Sequence, residues 1–140
     1  MNKVIYYSRG GNTEKLATAI AKGANTQSTS LAEILGDFNA DILFVGASIY
    51  AGKINSDLRA FLKNLKNEQV KAVVVFGTAA GKNTPLKEIT NILKPNNIVI
   101  SGREFKCPGS FLFVNRNRPN DSDLKNAEDF AKEMCEILKV

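Results

Sequence analysis

Residues 3–20 read KVIYYSRGGNTEKLATAI, and this stretch decides the fold class of the chain. An apolar segment, Val4–Tyr7, runs into a short polar loop, and a helical pattern with Leu16 and Ile20 four residues apart follows directly. The order strand, glycine loop, helix predicts a βα unit whose helix ends near Gly23. The start of such a helix, with its unpaired N–H groups and the positive end of its dipole, favours a phosphate monoester at the loop.

The loop combines glycines with short side chains that donate hydrogen bonds. Ser8, Asn12 and Thr13 supply donors, while Gly10 and Gly11 let a ligand approach the backbone closely. The loop matches neither the GxxxxGK[ST] pattern of nucleotide P-loops nor the GxGxxG pattern of dinucleotide sites. Taken alone, it is also compatible with an ordinary glycine turn that caps a helix.

Length and composition predict one domain over residues 1–140, long enough to bury a substantial core. The hydrophobic fraction of 44% and the charged fraction of 24% are ordinary for a soluble globular protein. The sequence shows no apolar run of membrane-spanning length and no signal-peptide pattern at its N-terminus. We therefore expect a cytoplasmic protein.

The absence of histidine removes several kinds of chemistry. It excludes a Ser-His-Asp triad, a Cys-His dyad and the common zinc sites. The two cysteines form neither a CxxC pair nor a metal-ligand spacing: Cys135 lies on the apolar side of a predicted helix, and Cys107 precedes Pro108-Gly109 in a predicted loop. We expect both thiols to be packing residues, although a loop position would leave Cys107 open to reaction. Any redox activity would then require a bound cofactor.

Apolar runs alternate with helical patterns along the chain, which predicts parallel strands joined by crossover helices. Besides the first strand, we expect buried strands at Ile42–Ala47, Ala72–Phe76 and Ile98–Ile100. A short polar strand at Ser28–Leu31 is expected at the edge of the sheet. Phe111–Val114 is a further apolar run that either continues the fifth strand or pairs near the site.

Three more helices are predicted from apolar stripes at helical spacing. The second helix is expected to be capped by Ser56, and the third by Thr84 with Pro85 at the first helical position. The fourth should run from residue 121 or 122 to Leu138.

Three loops follow the predicted carboxyl ends of strands, namely Ser8–Thr13, Ser48–Lys53 and Gly77–Asn83. Each contains glycine together with serine or threonine, and the second also contains Tyr50. Open α/β sheets bind ligands beyond the carboxyl ends of their strands, where the strand order reverses. The three loops together predict a flat aromatic ligand that carries one phosphate.

The SRGGNT loop resembles the [ST]-x-T-G-N-T phosphate signature of flavodoxins, and the resemblance spans essentially the whole chain. It implies an α/β fold that is a three-layer α/β/α sandwich, with a five-stranded parallel sheet of order 2-1-3-4-5 and non-covalently bound flavin mononucleotide (FMN). Carried over to this chain, the FMN-binding residues would be Ser8, Arg9, Gly10, Gly11, Asn12 and Thr13 at the phosphate, Ser48, Ile49, Tyr50, Ala51 and Gly52 in a second loop, and Thr78, Ala79, Ala80 and Gly81 in a third.

The chain departs from the flavodoxin pattern in three respects. Gly10 stands where the signature has threonine, which removes one hydroxyl donor. The third loop lacks the aromatic residue that covers the flavin ring in many flavodoxins, so that Tyr50 is the aromatic candidate nearby and one ring face is expected to be open. The formal net charge is +5, whereas familiar electron-carrying flavodoxins are strongly acidic.

The resemblance implies electron transfer between redox partner proteins, and the basic charge indicates acidic partners. A flavin-dependent oxidoreductase acting on a small molecule such as a quinone is the alternative, because residues 46–53, GASIYAGK, are similar to a loop of menaquinone-dependent protoporphyrinogen oxidases. A flavodoxin-like binding module without cofactor is a third possibility. Nucleic-acid binding is not expected, since the lysines are scattered and no recognition motif is present.

Overall fold

The computed structural model describes residues 1–34, 37–49, 52–78, 84–108 and 117–139. Within these residues, five strands form one parallel sheet in the order β2-β1-β3-β4-β5. The strands are β1 (Lys3–Tyr6), β2 (Ser28–Ser30), β3 (Ala40–Ser48), β4 (Val70–Thr78) and β5 (Ile100–Cys107). The α-helices are α1 (Asn12–Gly23), α2 (Ser56–Lys63), α3 (Pro85–Leu93) and α4 (Asp121–Ile137). The predicted fold and strand order are confirmed.

Helices cover both faces of the sheet and give the predicted three layers. Phe44 and Phe76 of the central strands are fully buried on the face that packs against α1 and α4. Leu43 and Val75, the neighbouring positions in the same strands, are fully buried on the face that packs against α2 and α3. Burial on both faces explains why β3 and β4 read as continuous apolar runs rather than alternating ones.

The strand register brings the carboxyl ends of the central strands to one edge of the sheet. Tyr6 of β1 pairs with Gly46 of β3, which in turn pairs with Phe76 of β4. Two residues further along, Ser48 pairs with Thr78. Since parallel strands end on the same side, the loops that follow β1, β3 and β4 leave the sheet as neighbours.

The two edge strands were predicted unequally well. The polar strand β2 lies at the expected edge position beside β1. The predicted position of the fifth strand, Ile98–Ile100, was wrong: β5 begins at Ile100, where the predicted segment ends, and continues to Cys107. Gly102 and Arg103 are exposed within this strand. Because β5 lies at the edge of the sheet and is not fully covered, it lacks the continuous apolar run that marks a central strand. Phe111–Val114 lies outside the described residues.

Capping side chains confirm one predicted helix start and correct another. Thr84 Oγ1 accepts from the N–H of Leu86 at 3.2 Å, as predicted for α3. The cap of α2 is Asn55 rather than Ser56: its Oδ1 accepts from Asp57 N at 2.8 Å and Leu58 N at 3.1 Å. Asparagine and serine are nearly equivalent caps, so the adjacent pair could not be separated by residue type.

The helix α1 ends at Gly23, as predicted, but Gly23 does not adopt a left-handed glycine conformation there. It is the last helical residue, and a Cβ there would lie 2.1 Å from the carbonyl oxygen of Glu128 and 2.9 Å from the Cβ of Ala131. The glycine therefore permits close packing of α1 against α4, and the left-handed conformation (φ 56°) is adopted by Asn25. Across the described ranges, no helix is long and apolar enough to cross a membrane.

Candidate functional site

The first predicted loop forms a tight turn into α1. Gly11 has φ 87° and ψ −8°, a left-handed conformation that glycine adopts without steric cost. Its N–H donates to Ser8 Oγ at 3.0 Å, and its carbonyl accepts from Lys15 N at 3.1 Å to open the helix. The sequence placed Asn12 and Thr13 in the loop, but the helix begins at Asn12, so both residues lie in the first turn of α1.

The turn leaves its backbone open on the outer side. A Cβ built on Gly10 or Gly11 would meet no heavy atom within 4 Å. Because the Ser8 hydroxyl accepts from Gly11, it keeps its own hydrogen for donation to a further group. The first turn of a helix also has N–H groups without helical acceptors. This donor set and this space fit a phosphate group.

Side chains connect the first loop to the third. The hydroxyls of Thr13 and Thr78 lie 3.2 Å apart and form a buried hydrogen bond between α1 and the end of β4. Ser48, at the end of the intervening strand, pairs with Thr78. The structure thus brings together the described part of the first loop, the start of the second and the start of the third. Tyr50, Ala51, Ala79, Ala80 and Gly81 lie outside the described residues.

The second loop is tied to α3 by a carboxylate that the sequence analysis did not single out. Glu88 accepts from the N–H of Ile54 at 3.0 Å through one oxygen and from Arg59 Nε at 3.0 Å through the other. Arg59 also donates to the carbonyl of Ile54 at 3.2 Å, while Gly52 adopts a left-handed φ of 80°. These contacts join residues 29 and 34 positions apart, and a local pattern carries no signal for them.

Two clefts flank this edge of the sheet. One, of about 400 Å³, is bordered by Tyr6, Ser8 and Glu14 on the side of the first loop. The other, of about 510 Å³, lies beside Ile49 and Gly52.

The larger cleft carries a positive surface. Lys53 and Lys87 border it and are exposed, and neither forms an ion pair with another described residue. Glu88 also borders it, but its charge is balanced by Arg59 at 3.0 Å. The net field in this cleft therefore favours an anionic group.

Two groups near this edge, the Tyr6 phenol and the Cys107 thiol, have raised pKa values. Burial raises the pKa of the Tyr6 phenol, and the carboxylates of Glu14 and Glu33 raise it further. Burial also raises the pKa of the Cys107 thiol to about 11. Cys107 was predicted in a loop, but it ends β5 and is 3% exposed, so the packing role expected for it is confirmed.

An ion pair next to Cys107 secures the start of α4. Arg118 donates to both carboxylate oxygens of Asp123, at 2.5 and 2.7 Å. Asn120 and Asp123 form a reciprocal capping box, and Asp123 is 7% exposed. The Arg118 guanidinium lowers the pKa of the Asp123 carboxyl. No group of acidic or cysteine side chains suited to a metal ion occurs in the described part of the chain.

A parallel sheet of order 2-1-3-4-5, with a glycine turn after its first strand, defines the flavodoxin-like class of α/β proteins. The chain belongs to the flavodoxin family: residues 3–112 match the family model of the flavodoxin domain. Membership of this family implies a flavin cofactor.

Individual relatives agree with this assignment. An uncharacterized protein of Methanocaldococcus jannaschii is 33% identical over an aligned length of 134 residues, and the match covers 86% of this chain and 88% of that protein. A flavodoxin of Clostridium beijerinckii is 34% identical over an aligned length of 86 residues, and the match covers 54% of this chain and 62% of the flavodoxin.

Solved structures show the same fold at lower sequence identity. A flavodoxin from the domain Archaea is similar with a TM-score of 0.76 and 20% identity, and the match covers 100% of both chains. Rubredoxin oxygen:oxidoreductase from Desulfovibrio gigas gives a TM-score of 0.75 at 17% identity, with 99% of this chain matching 36% of that one.

Proposed function

We propose that this chain binds FMN non-covalently and carries electrons between redox partner proteins. The observation that supports this most directly is the 3.2 Å contact between the hydroxyls of Thr13 and Thr78, which joins the first and third predicted loops. Ser48, which begins the second loop, pairs with Thr78 at the same edge. Three segments that the flavodoxin resemblance assigns to one cofactor thus start from neighbouring positions.

The chain's own residues would bind and orient the cofactor. The first turn of α1, with its glycine turn and the hydroxyls of Ser8 and Thr13, would hold the phosphate. The proposed FMN-binding residues are Ser8, Arg9, Gly10, Gly11, Asn12, Thr13, Ser48, Ile49, Tyr50, Ala51, Gly52, Thr78, Ala79, Ala80 and Gly81. When bound, FMN supplies an electron-accepting ring system that no amino-acid side chain provides.

Electron transfer through a cofactor does not require a side chain that exchanges protons near neutral pH. A general acid or base works best with a pKa near the operating pH. The chain has no histidine, and the pKa values of Cys107 and Tyr6 are both raised above their ordinary values. A carrier that exchanges electrons through a cofactor needs no such group.

The charge of the chain supports acidic redox partners. The formal net charge is +5, and the cleft beside the second loop carries the exposed Lys53 and Lys87. Opposite charges on two surfaces steer their encounter and accelerate association. A partner with carboxylates near its redox centre would complement this cleft.

FMN titration tests the cofactor proposal, and a Gly10→Thr variant sharpens it. We expect the wild-type chain to retain FMN through desalting and Gly10→Thr to bind it about threefold to tenfold more tightly, because the substitution adds a hydroxyl donor. Gly10 lacks the positive φ of Gly11, and a Cβ there meets nothing within 4 Å, so the loop accommodates threonine. Quenching of flavin fluorescence measures both affinities.

The matched control is Gly10→Val, which has nearly the shape of threonine without its hydroxyl. Gly10→Val should not bind FMN more tightly than the wild-type chain does. Equal FMN affinities of the two variants would show that the added hydroxyl is not the cause of tighter binding. A wild-type chain that retains no FMN would overturn the proposed function and leave a binding module.

A flavin-dependent oxidoreductase is the second candidate, and the larger cleft is the observation that favours it. Its volume of about 510 Å³ lies within the range of small-molecule sites. Mixing the FMN-loaded protein with NADPH and a naphthoquinone distinguishes the two candidates. Saturable turnover that depends on quinone concentration would establish the enzyme, whereas the carrier should show only slow, unsaturated oxidation of NADPH.

A further inference from the structure

The hydroxyl of Thr78 is directed toward α1, away from solvent. Thr78 is 5% exposed and its partner Thr13 is 2% exposed, and the two hydroxyl oxygens lie 3.2 Å apart. Phe76, two residues earlier in β4, lies on the same face of the sheet and belongs to the same buried cluster as Leu16 of α1. The contact therefore crosses over β3, which lies between β1 and β4, and it joins the beginning of one helix to the end of a distant strand.

A pair of hydroxyls can be arranged in two ways. Each hydroxyl has one hydrogen and two acceptor positions, so only one of the two donates within the pair. Where Thr78 donates, Thr13 keeps its hydrogen for a third group. An anion at the first turn of α1 selects this arrangement, because it accepts from Thr13 and cannot donate in return. Threonine side chains have few χ1 choices, which limits the pair to few other orientations.

We infer that Thr78 is a positioning residue that directs the Thr13 hydroxyl to the phosphate and so sets the preference of the site for FMN over riboflavin. The inference rests on the proposed function. Two hydrogen bonds in series polarise one another, so donation from Thr78 strengthens donation from Thr13. Riboflavin lacks the phosphate and gains nothing from this chain of bonds.

Affinities for FMN and for riboflavin, measured in parallel, test the inference. Thr78→Val keeps the β-branched shape in a buried strand end and removes the hydroxyl. We expect it to weaken FMN binding about fivefold to tenfold more than it weakens riboflavin binding. Thr78→Ser restores a hydroxyl and should return the ratio of the two affinities to the wild-type value. Thermal unfolding without flavin checks that the variants fold.

A double variant separates an indirect effect from direct contact with the flavin. If Thr78 acts through Thr13, Thr78→Val should change the FMN-to-riboflavin ratio in the wild-type chain but not in Thr13→Val. Equal losses for both flavins, which leave the ratio of their affinities unchanged, would overturn the inference. Additive effects of the two substitutions would also overturn it. Neither result would affect the proposed function. A wild-type chain that binds neither flavin would overturn the proposed function and the inference with it.

Discussion

Replacing Gly77 by alanine should lower the free energy of unfolding by about 3 kcal/mol. A Cβ at Gly77 would lie 2.0 Å from the carbonyl oxygen of Ala47 and 3.3 Å from Cγ of Pro85. Ala47 belongs to the central strand β3, which pairs with β1 as far as Gly46 and with β4 as far as Ser48, so its backbone cannot move away without disturbing the β3–β4 ladder. Urea unfolding followed by circular dichroism measures the change. A loss of this size is a large fraction of the stability of an ordinary domain.

The matched control is Gly102→Ala in the edge strand β5. A Cβ at Gly102 would meet no heavy atom within 4 Å, so the unfolding free energy should stay within about 0.5 kcal/mol of wild type. Because Gly77 and Ala47 directly precede the paired residues Thr78 and Ser48, Gly77→Ala should also weaken flavin binding if the protein is still folded. A loss below about 1 kcal/mol would show that the strands shift apart more easily than the packing indicates.

The central part of the fold was predictable from sequence, because its signals are local. The strands β3 and β4 are buried on both faces and therefore read as apolar runs. Thr84 followed by Pro85 marked the start of α3 correctly. The edge strand β5 was misplaced because one covered face gives a short and broken apolar pattern. The end of α1 near Gly23 was predicted correctly, but the close packing of this glycine against α4 was not, since a contact with residues 105 or more positions away leaves no local mark.

The candidate site was predictable only as three loops. The positions of the loops followed from the predicted ends of the strands. The strand order implied by the resemblance to flavodoxins placed the three loops at the carboxyl edge of the sheet. The bond between Thr13 and Thr78 depends on which side chains face α1 across an intervening strand. The contacts that Glu88 makes with Ile54 and Arg59 depend equally on how two helices pack. Such pairings arise from tertiary structure, and neither has a sequence pattern of its own.

The Cys107 thiol should react with iodoacetamide at pH 8 at least about 100-fold more slowly than a free cysteine. Burial, together with a smaller contribution from Asp123, raises its pKa from 9.0 to about 11, while Arg118 opposes this change. Since only the thiolate attacks, the higher pKa lowers the reactive fraction about 100-fold, and 3% exposure hinders the reagent further. The thiol also donates to the carbonyl oxygen of Pro108 at 3.4 Å. The measurement uses Cys135→Ser, in which Cys107 is the single thiol.

The control variant, Cys107→Ser, leaves the half-buried Cys135, which should react faster in the native protein. In guanidinium chloride the two variants should react at equal rates, because burial no longer differs. The raised folded pKa means that the native state holds this proton more tightly than the unfolded chain does. Its contribution to stability is therefore fully present below about pH 9 and is lost as the pH rises toward 11. Alkylation of native Cys107 at the rate of a free thiol would show that the end of β5, where Cys107 pairs with Thr78, opens readily in the folded protein.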